Sequence, residues 1–322
     1  MKFKLLTATI LFSFSLSNLL AQVEQVKVRT HEIGIQTDND SYLGQGSDQY
    51  YTNGIFIYYR QALSINNPSA TRLANRVLGI ELGQKMYNPQ SGSVPDKEFI
   101  DRPFAAYLYA GANLNLLYKN ESNLKISLQT GIIGPAALGA EAQNLIHNTF
   151  GFYTLQGWHY QVKNSFQLNF SGEYNKLLAR AKWIDVSGST YANIGTGFIG
   201  AGIGPLLRVG NFNALYNSVS TQSTASKVGL TPLHQHEVFL YYKPMYNYIG
   251  YDATVQGNIF KHTAGDEVTG TPEHSVFSQQ IGVAYSGSRW VLDAGAVIHS
   301  RDVTRMVRTH KWGTVTLLYR FK

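Results

Sequence analysis

The pattern that most constrains this chain is a succession of about twelve short segments in which apolar residues alternate with polar or small ones. Each segment has roughly 10 to 14 residues, and turn-forming residues separate it from the next. Alternation with a period of two indicates β-strands whose two sides meet different surroundings. The segments lie near 26–38, 52–62, 77–87, 104–117, 122–133, 158–174, 177–187, 191–205, 236–256, 274–286, 288–300 and 311–321.

The last segment carries a second signal of the same kind. Residues 313–321 read GTVTLLYRF, which alternates and places Phe321 one residue before the C-terminus. This resembles the terminal strand by which bacterial outer-membrane barrels are recognised for assembly. We therefore predict an all-β protein, a transmembrane antiparallel β-barrel of about 12 strands, because an even number leaves no open edge. A soluble all-β sandwich in the periplasm is the alternative.

The N-terminus predicts export from the cytoplasm. Lys2 and Lys4 precede a mostly apolar run over residues 5–16, and Ala21 ends the segment. The run is too short and too often interrupted by serine to span a bilayer, so residues 1–21 are predicted to be a signal peptide. Residues 22–322 would then form one barrel domain in the bacterial outer membrane.

Composition excludes several functional classes. The chain has no cysteine, which rules out disulfides and a thiol nucleophile, and it has no Gly-x-Ser-x-Gly motif of the serine hydrolases. The formal charge is +7, but the basic residues are scattered rather than clustered. We therefore expect no nucleic-acid partner and expect outer-membrane lipids with anionic headgroups instead.

One connection between segments has a helical rather than a strand pattern. Residues 140–150 are bracketed by Gly139 and Gly151, which suits a short helical extracellular loop. Gln143 and His147 are four positions apart, so on a helix they point the same way.

A polar stretch follows the first predicted strand. Residues 38–42 read DNDSY and residues 48–54 read DQYYTNG, which gathers carboxylate, amide and hydroxyl oxygens of the kind that Ca²⁺ prefers. The same residue types also form ordinary turns. The spacing is not that of an EF-hand, since Leu43 and Gln49 stand where that loop needs glycine and glutamate. A calcium site here must therefore combine separate segments, with Gln143 and His147 as the best partners.

Two further histidines are close in sequence. His234 and His236 could bind a transition metal from one strand face. No third ligand is evident, so we interpret them as a polar loop edge.

Five motifs in this order resemble the outer-membrane lipid A 3′-O-deacylases. The resemblance is specific over about residues 30–175, and beyond them it is only barrel-like. The motifs are Asn39-Asp40, Tyr51-Thr52-x-Gly54, Asp101-Arg102-Pro103-Phe104-Ala105, Gly134-Pro135 with Glu141, Gln143, His147 and Gly151, and Gly157-Trp158-x-x-Gln161.

The resemblance implies an activity and a location for it. Enzymes of this family are twelve-stranded barrels that use Ca²⁺ to hydrolyse the ester holding the 3′ acyloxyacyl chain on lipid A. Their active site lies near the outer surface, between the barrel wall and a helical loop. We accordingly expect a carboxylic ester hydrolase that acts on lipid A or lipopolysaccharide as a monomer.

The resemblance also implies roles for individual residues. His147 would be the general base that activates water, with Asn39 and Thr52 as further catalytic residues. Asp40 and Gln143 would be ligands of the calcium ion, which stabilises the oxyanion.

Arg102 and Lys97 would contact the phosphates of lipid A, where some members have a Lys-Arg pair in the preceding loop. Those members also have an acidic residue six positions after the histidine, and here that position is Tyr153. This departure keeps two alternatives open. One is a non-catalytic barrel, either a pore or a surface binding protein. The other is an outer-membrane phospholipase, although the serine–histidine pair expected of such an enzyme is not found.

Overall fold

A computed structural model of the chain describes residues 28–44, 48–229, 231–260 and 265–322. The predicted signal peptide lies outside these residues. Twelve antiparallel strands form a closed barrel, which confirms the predicted fold class. The strands are β1 (His31–Asn39), β2 (Tyr50–Ala62), β3 (Leu73–Asn88), β4 (Ala105–Tyr118), β5 (Ser122–Ile133), β6 (Ser165–Arg180), β7 (Ile184–Gly195), β8 (Phe198–Asn211), β9 (Glu237–Asp252), β10 (Ser275–Ser286), β11 (Trp290–His299) and β12 (His310–Phe321).

The barrel closes by pairing its first strand with its last. His31 lies opposite Phe321, and Asn39 lies opposite Gly313. We call the end of the barrel that contains His31 and Phe321 the terminal end and the opposite end the loop end. The loop end carries the helical connection α1 (Gly139–Phe150) and the short helix α2 (Ala253–Gln256). Outer-membrane barrels place their longer loops outside the cell, so the loop end is the outer one.

The two faces of the strands differ in polarity. Ile33 and Ile35 of β1 are exposed, as is Ile57 of β2, which pairs with Ile35. On the same two strands, Glu32 and Arg60 are buried and form an ion pair at 2.6 Å. An apolar outer face and a polar interior are what a strand that crosses a membrane requires. Among the described helices, none has the length and apolar character needed to cross a bilayer.

A long connection fills the terminal end of the barrel. Residues 212–236 join β8 to β9 and place Val219 in the hydrophobic core. The side chain of Asn75 donates hydrogen bonds to the carbonyl oxygens of Ser223 and Ala225, at 3.2 and 2.9 Å. Thr224 donates to Glu32. This end is therefore packed with protein, which disfavours the interpretation of the chain as an open pore.

Three strands are displaced along the chain from the sequence prediction, and β9 ends at Asp252, where α2 takes the place of the predicted end of that strand. The segments expected at 158–174, 177–187 and 191–205 are displaced, and β6, β7 and β8 begin and end further along the chain. The cause is that Asn175 and Lys176 look like turn residues but lie within β6. Asn175 is buried and donates to Asn123 at 3.1 Å, as expected for a strand residue that faces a polar interior.

The glycine pair Gly195 and Gly197 was also placed in a strand by the sequence pattern. In the structure β7 ends at Gly195 and β8 begins at Phe198, so the pair flanks a turn. The helical prediction over residues 140–150 is confirmed, since α1 spans Gly139–Phe150 and ends at Gly151 with φ 70°. A positive φ of this size favours glycine, which explains why the helix ends there.

Candidate active site at the loop end

Asp40 lies at the loop end, directly after β1. It begins a short 3₁₀ turn that Asn39 caps by accepting a hydrogen bond from the amide of Ser41. Its side chain is buried, and one carboxylate oxygen accepts the amide of Gln49 at 3.0 Å. Burial and the neighbouring charge of Asp48 raise the pKa of Asp40 to about 7. A carboxylate held in this way gains from a nearby cation, which would offset both effects.

Asn39 has a supporting position beside Asp40. Its side-chain oxygen accepts from Ser41, and its amide nitrogen donates to the side-chain oxygen of Asn53 at 2.5 Å. Both ends of the Asn39 amide are therefore engaged within the β1–β2 connection. These contacts fix the turn that presents Asp40. The catalytic role predicted for Asn39 stays a prediction.

Helix α1 presents Gln143 and His147 on its buried side, as the four-residue spacing predicted. The helix reaches the barrel wall because Gly139 has no side chain. A Cβ atom at Gly139 would come within 2.4 Å of the Cβ of Ala106 and 2.9 Å of Trp158. Close contact between α1 and β4 therefore depends on this glycine.

Gln143 has one satisfied and one unsatisfied end. Its side-chain oxygen accepts the indole N–H of Trp158 at 2.9 Å, which fixes the orientation of the amide. Its Nε2 atom is buried and donates to no described residue. A buried amide donor without an acceptor is costly, so this atom is suited to an oxygen that a substrate would bring.

His147 is held from two sides. Its Nδ1 atom lies 2.7 Å from the carbonyl oxygen of Tyr153, and its Nε2 atom lies 3.0 Å from a carboxylate oxygen of Asp48. A carbonyl oxygen can only accept, so Nδ1 carries a proton. Nε2 is therefore the atom that can exchange a proton with a substrate or water.

Asp48 is the residue of this cluster that the sequence did not assign. It lies on the β1–β2 connection and accepts hydrogen bonds from the hydroxyl groups of Tyr153, at 2.5 Å, and Thr52, at 3.4 Å. In some members of the family an acidic residue lies six positions after this histidine, where Tyr153 stands here. The structure supplies the carboxylate from a different loop and uses Tyr153 to hold it. In the sequence, only the polar character of residues 48–54 indicated that this stretch could contribute to the site.

Thr52 completes the described cluster. It is fully buried near the start of β2, and its hydroxyl also accepts the side-chain amide of Asn53 at 2.8 Å. The cluster thus joins Asp40, Asp48 and Thr52 from the first connection with His147 from α1. Carboxylate and hydroxyl oxygens beside an imidazole can bind a hard cation and activate water.

The two residues predicted to contact phosphates lie elsewhere. Arg102 has no exposed surface, donates to the hydroxyl of Thr254 at 3.0 Å and stacks on Tyr87 with its guanidinium carbon 4.1 Å from the ring centre. A guanidinium buried in this way does not reach the surface, so the contact with lipid A phosphates predicted for Arg102 stays a prediction. Lys97 is exposed in a short turn of the β3–β4 connection and remains available.

Comparison with known proteins identifies the family. The model of the family described as "Outer membrane protein LpxR" matches residues 5–321. The chain belongs to this family. Its membership and its closed barrel place it in the outer membrane, as predicted. Among curated proteins, none matches the sequence significantly.

Solved structures agree with the LpxR assignment. LpxR from Salmonella typhimurium superposes with a TM-score of 0.72 and 19% identity, covering 90% of this chain and 100% of that one. At this identity the likeness shows the fold. The β domain of the Bordetella autotransporter BrkA matches with a TM-score of only 0.44 and 10% identity, over 91% of this chain and 98% of that one.

Proposed function

We propose that this LpxR-family protein is a Ca²⁺-dependent esterase that removes the 3′-O-linked acyloxyacyl chain from lipid A. The observation that carries the proposal is the junction of His147 with Asp48, which brings an imidazole base into the same cluster as Asp40 and Thr52. Family membership and the position of this cluster at the outer end of the barrel support lipid A as substrate, because lipid A forms the outer leaflet there.

The residues of the cluster fit a calcium ion. Asp40 and Asp48 offer two carboxylates, and burial together with the nearby charge of Asp48 raises the pKa of Asp40. Thr52 adds a hydroxyl oxygen that points at Asp48. Hard oxygen donors of this kind suit Ca²⁺. A bound divalent ion would supply electrostatic stabilisation for the negative oxygen that forms on the ester carbonyl.

His147 performs the proton transfer. Its Nε2 atom takes a proton from water while the water oxygen bonds to the ester carbonyl carbon, and Nδ1–H stays on the carbonyl of Tyr153. When the tetrahedral centre collapses, the bond from the acyl carbon to the 3′ oxygen of the sugar breaks. That oxygen receives the proton from Nε2, which restores the neutral imidazole and releases a free acid and an alcohol.

Gln143 fits a donor role better than the role of metal ligand predicted for it. Its oxygen is engaged by Trp158, whereas its Nε2 atom is free to donate. We place this N–H against the ester carbonyl oxygen. The hydrogen bond between them would strengthen as that oxygen becomes negative.

Mass spectrometry of lipid A tests the proposal. The chain is expressed in outer membranes, and lipid A is analysed after incubation with Ca²⁺ or with a chelator. We expect loss of one 3′-linked acyl group with Ca²⁺ alone, and no loss in His147→Ala. His159→Ala is the matched control, because His159 is exposed on a nearby turn and should leave the reaction unchanged. Unchanged lipid A with cleaved glycerophospholipid would overturn the proposal in favour of a phospholipase.

A further inference from the structure

A second group of possible metal ligands lies at the loop end, outside the cluster described above. His299 is the last residue of β11, His310 is the first residue of β12, and Asp302 lies on the connection between them. The two histidines are directly paired across the strands. One ligand atom from each of the three residues lies within 4.8 Å of the other two.

The two imidazoles are already close to the spacing that a metal requires. Nε2 of His310 lies 3.0 Å from Nδ1 of His299. Two nitrogen ligands of a tetrahedral zinc ion, at Zn–N distances of about 2.0–2.1 Å, lie roughly 3.3 Å apart. A metal between these nitrogens would replace the present hydrogen bond, and it would also displace the contact of 3.1 Å between Nδ1 of His299 and the carbonyl oxygen of Ser300. With the metal on Nε2, the proton of His310 would lie on Nδ1. That atom would lose only its long contact of 3.5 Å with the amide of Tyr51.

One carboxylate oxygen of Asp302 is available as a metal ligand. Its Oδ1 atom is buried and accepts no hydrogen bond from any described residue, while Oδ2 lies 3.8 Å from Nε of Arg102. That distance is too long for a hydrogen bond, and Nε itself donates to no described group. The carboxylate of Asp302 is thus incompletely satisfied.

Arg102 does not occupy the place that a metal would take. It lies on the Oδ2 side of Asp302, beyond hydrogen-bond distance. A cation bound on the histidine side could therefore contact Asp302 without displacing Arg102.

We propose that His299, Asp302 and His310 form a binding site for a divalent transition metal such as Zn²⁺. Two imidazole nitrogens and one carboxylate oxygen are borderline ligands that select such a metal over Ca²⁺. The metal would tie the β11–β12 connection to the barrel wall beside Tyr51, which precedes Thr52. No described hydrogen bond or ion pair joins these three residues to Asp40, Asp48 or His147, so the site is separate from the proposed esterase centre.

Cobalt binding tests this site directly. The full chain in detergent is stripped of metal, supplied with excess Ca²⁺ to saturate the oxygen-rich cluster, and titrated with Co²⁺. We expect one Co²⁺ per chain, with the intense visible absorption of a low-coordinate nitrogen and oxygen site, and its displacement by Zn²⁺. No such absorption, or one that needs more than one Co²⁺ per chain, would overturn the proposal.

Variants locate the bound ion. His299→Gln and Asp302→Asn should each weaken Co²⁺ binding by at least about tenfold, because even groups that only orient a ligand contribute 10–100-fold. Both variants avoid the deeply buried His310, and circular dichroism checks that the barrel remains folded. His236→Gln and Asp40→Asn are the controls and should bind Co²⁺ normally. Absorption that survives in His299→Gln and Asp302→Asn, or that is lost in either control, would place the metal elsewhere and refute the assignment. Failure of the esterase proposal would leave this result unaffected.

Discussion

A carboxylate oxygen of Asp48 lies 3.0 Å from Nε2 of His147, on the opposite side of the ring from the carbonyl oxygen of Tyr153. Both neighbours of the ring are acceptors, so each ring nitrogen faces an oxygen that can accept its N–H after proton abstraction from water. Before that step Nε2 must be open to water. The carboxylate of Asp48 therefore has two possible partners, the imidazole and a cation, and its position links the base to the ion site.

Removing the imidazole should abolish the reaction. His147→Ala is expected to lower the rate of acyl release by about 10²–10⁴-fold, the usual contribution of a positioned general base. The measurement is the initial rate of acid release from lipid A in detergent micelles. His159→Ala should retain the full rate, and an equal loss in both variants would point to a general effect of histidine removal rather than to the base.

Substitutions at Asp48 and Tyr153 should have unequal effects. Asp48→Asn removes a charge next to both His147 and Asp40, so we expect weaker Ca²⁺ activation and a rate at least about tenfold lower. Tyr153→Phe removes a hydroxyl group but keeps the carbonyl that holds Nδ1. Its rate should therefore stay within about tenfold of the unaltered protein. The calcium dependence of the rate distinguishes the two, and a larger loss in Tyr153→Phe than in Asp48→Asn would contradict the proposed roles of these residues.

Calcium activation should depend on pH through Asp40. Because the pKa of Asp40 is raised to about 7, the side chain holds a proton below that pH when no cation is bound. Protons and Ca²⁺ then compete for it, so the apparent affinity for Ca²⁺ should fall by about tenfold for each pH unit below 7 and level off above it. Calcium titrations between pH 5 and 9, roughly two units on either side of that pKa, measure this. Asp40→Asn should bind Ca²⁺ weakly at every pH, and a dependence identical to that of the unaltered protein would exclude Asp40 as the ligand.

Gly139 should control the position of α1. Gly139→Ala places a methyl group 2.4 Å from the Cβ of Ala106, so the helix must move outward and carry His147 with it. We expect a rate loss of about tenfold or more with an intact barrel, since small misplacements of a catalytic group have large effects. Gly172→Ala in β6 is the control, because a Cβ there meets no atom within 4 Å. Equal activity of both variants would show that the helix tolerates displacement.

The aromatic surface next to His147 should contact acyl chains. Phe150 and Phe152 are 69% and 60% exposed and stack on each other, with ring centres 5.9 Å apart. Phe152 also lies edge-on to His147. Replacing both with serine should raise KM for lipid A severalfold with a smaller change in kcat, because the contact is shared by ground and transition states. A loss confined to kcat would indicate instead that these rings position His147.

The fold could be predicted from the sequence because the alternation of lipid-facing and interior side chains is a local pattern within each barrel strand. Where a polar interior residue resembles a turn residue, as Asn175 does, the pattern gives the wrong strand boundary. The helix and the shared face of Gln143 and His147 were also local, and they were predicted correctly. The contacts of Asp48 and Arg102 were not, because their partners lie far along the chain. Arg102 follows the family motif but becomes fully buried once α2 and the β11–β12 connection pack around it.

The most direct test of the central claim is acid release from purified lipid A by the purified chain, measured against free Ca²⁺. We predict release of the 3′-linked acid that rises to saturation with Ca²⁺, stops on chelation and is at least about 100-fold slower in His147→Ala at every Ca²⁺ concentration. Release that persists under chelation, or that keeps its full rate in His147→Ala, would contradict the account.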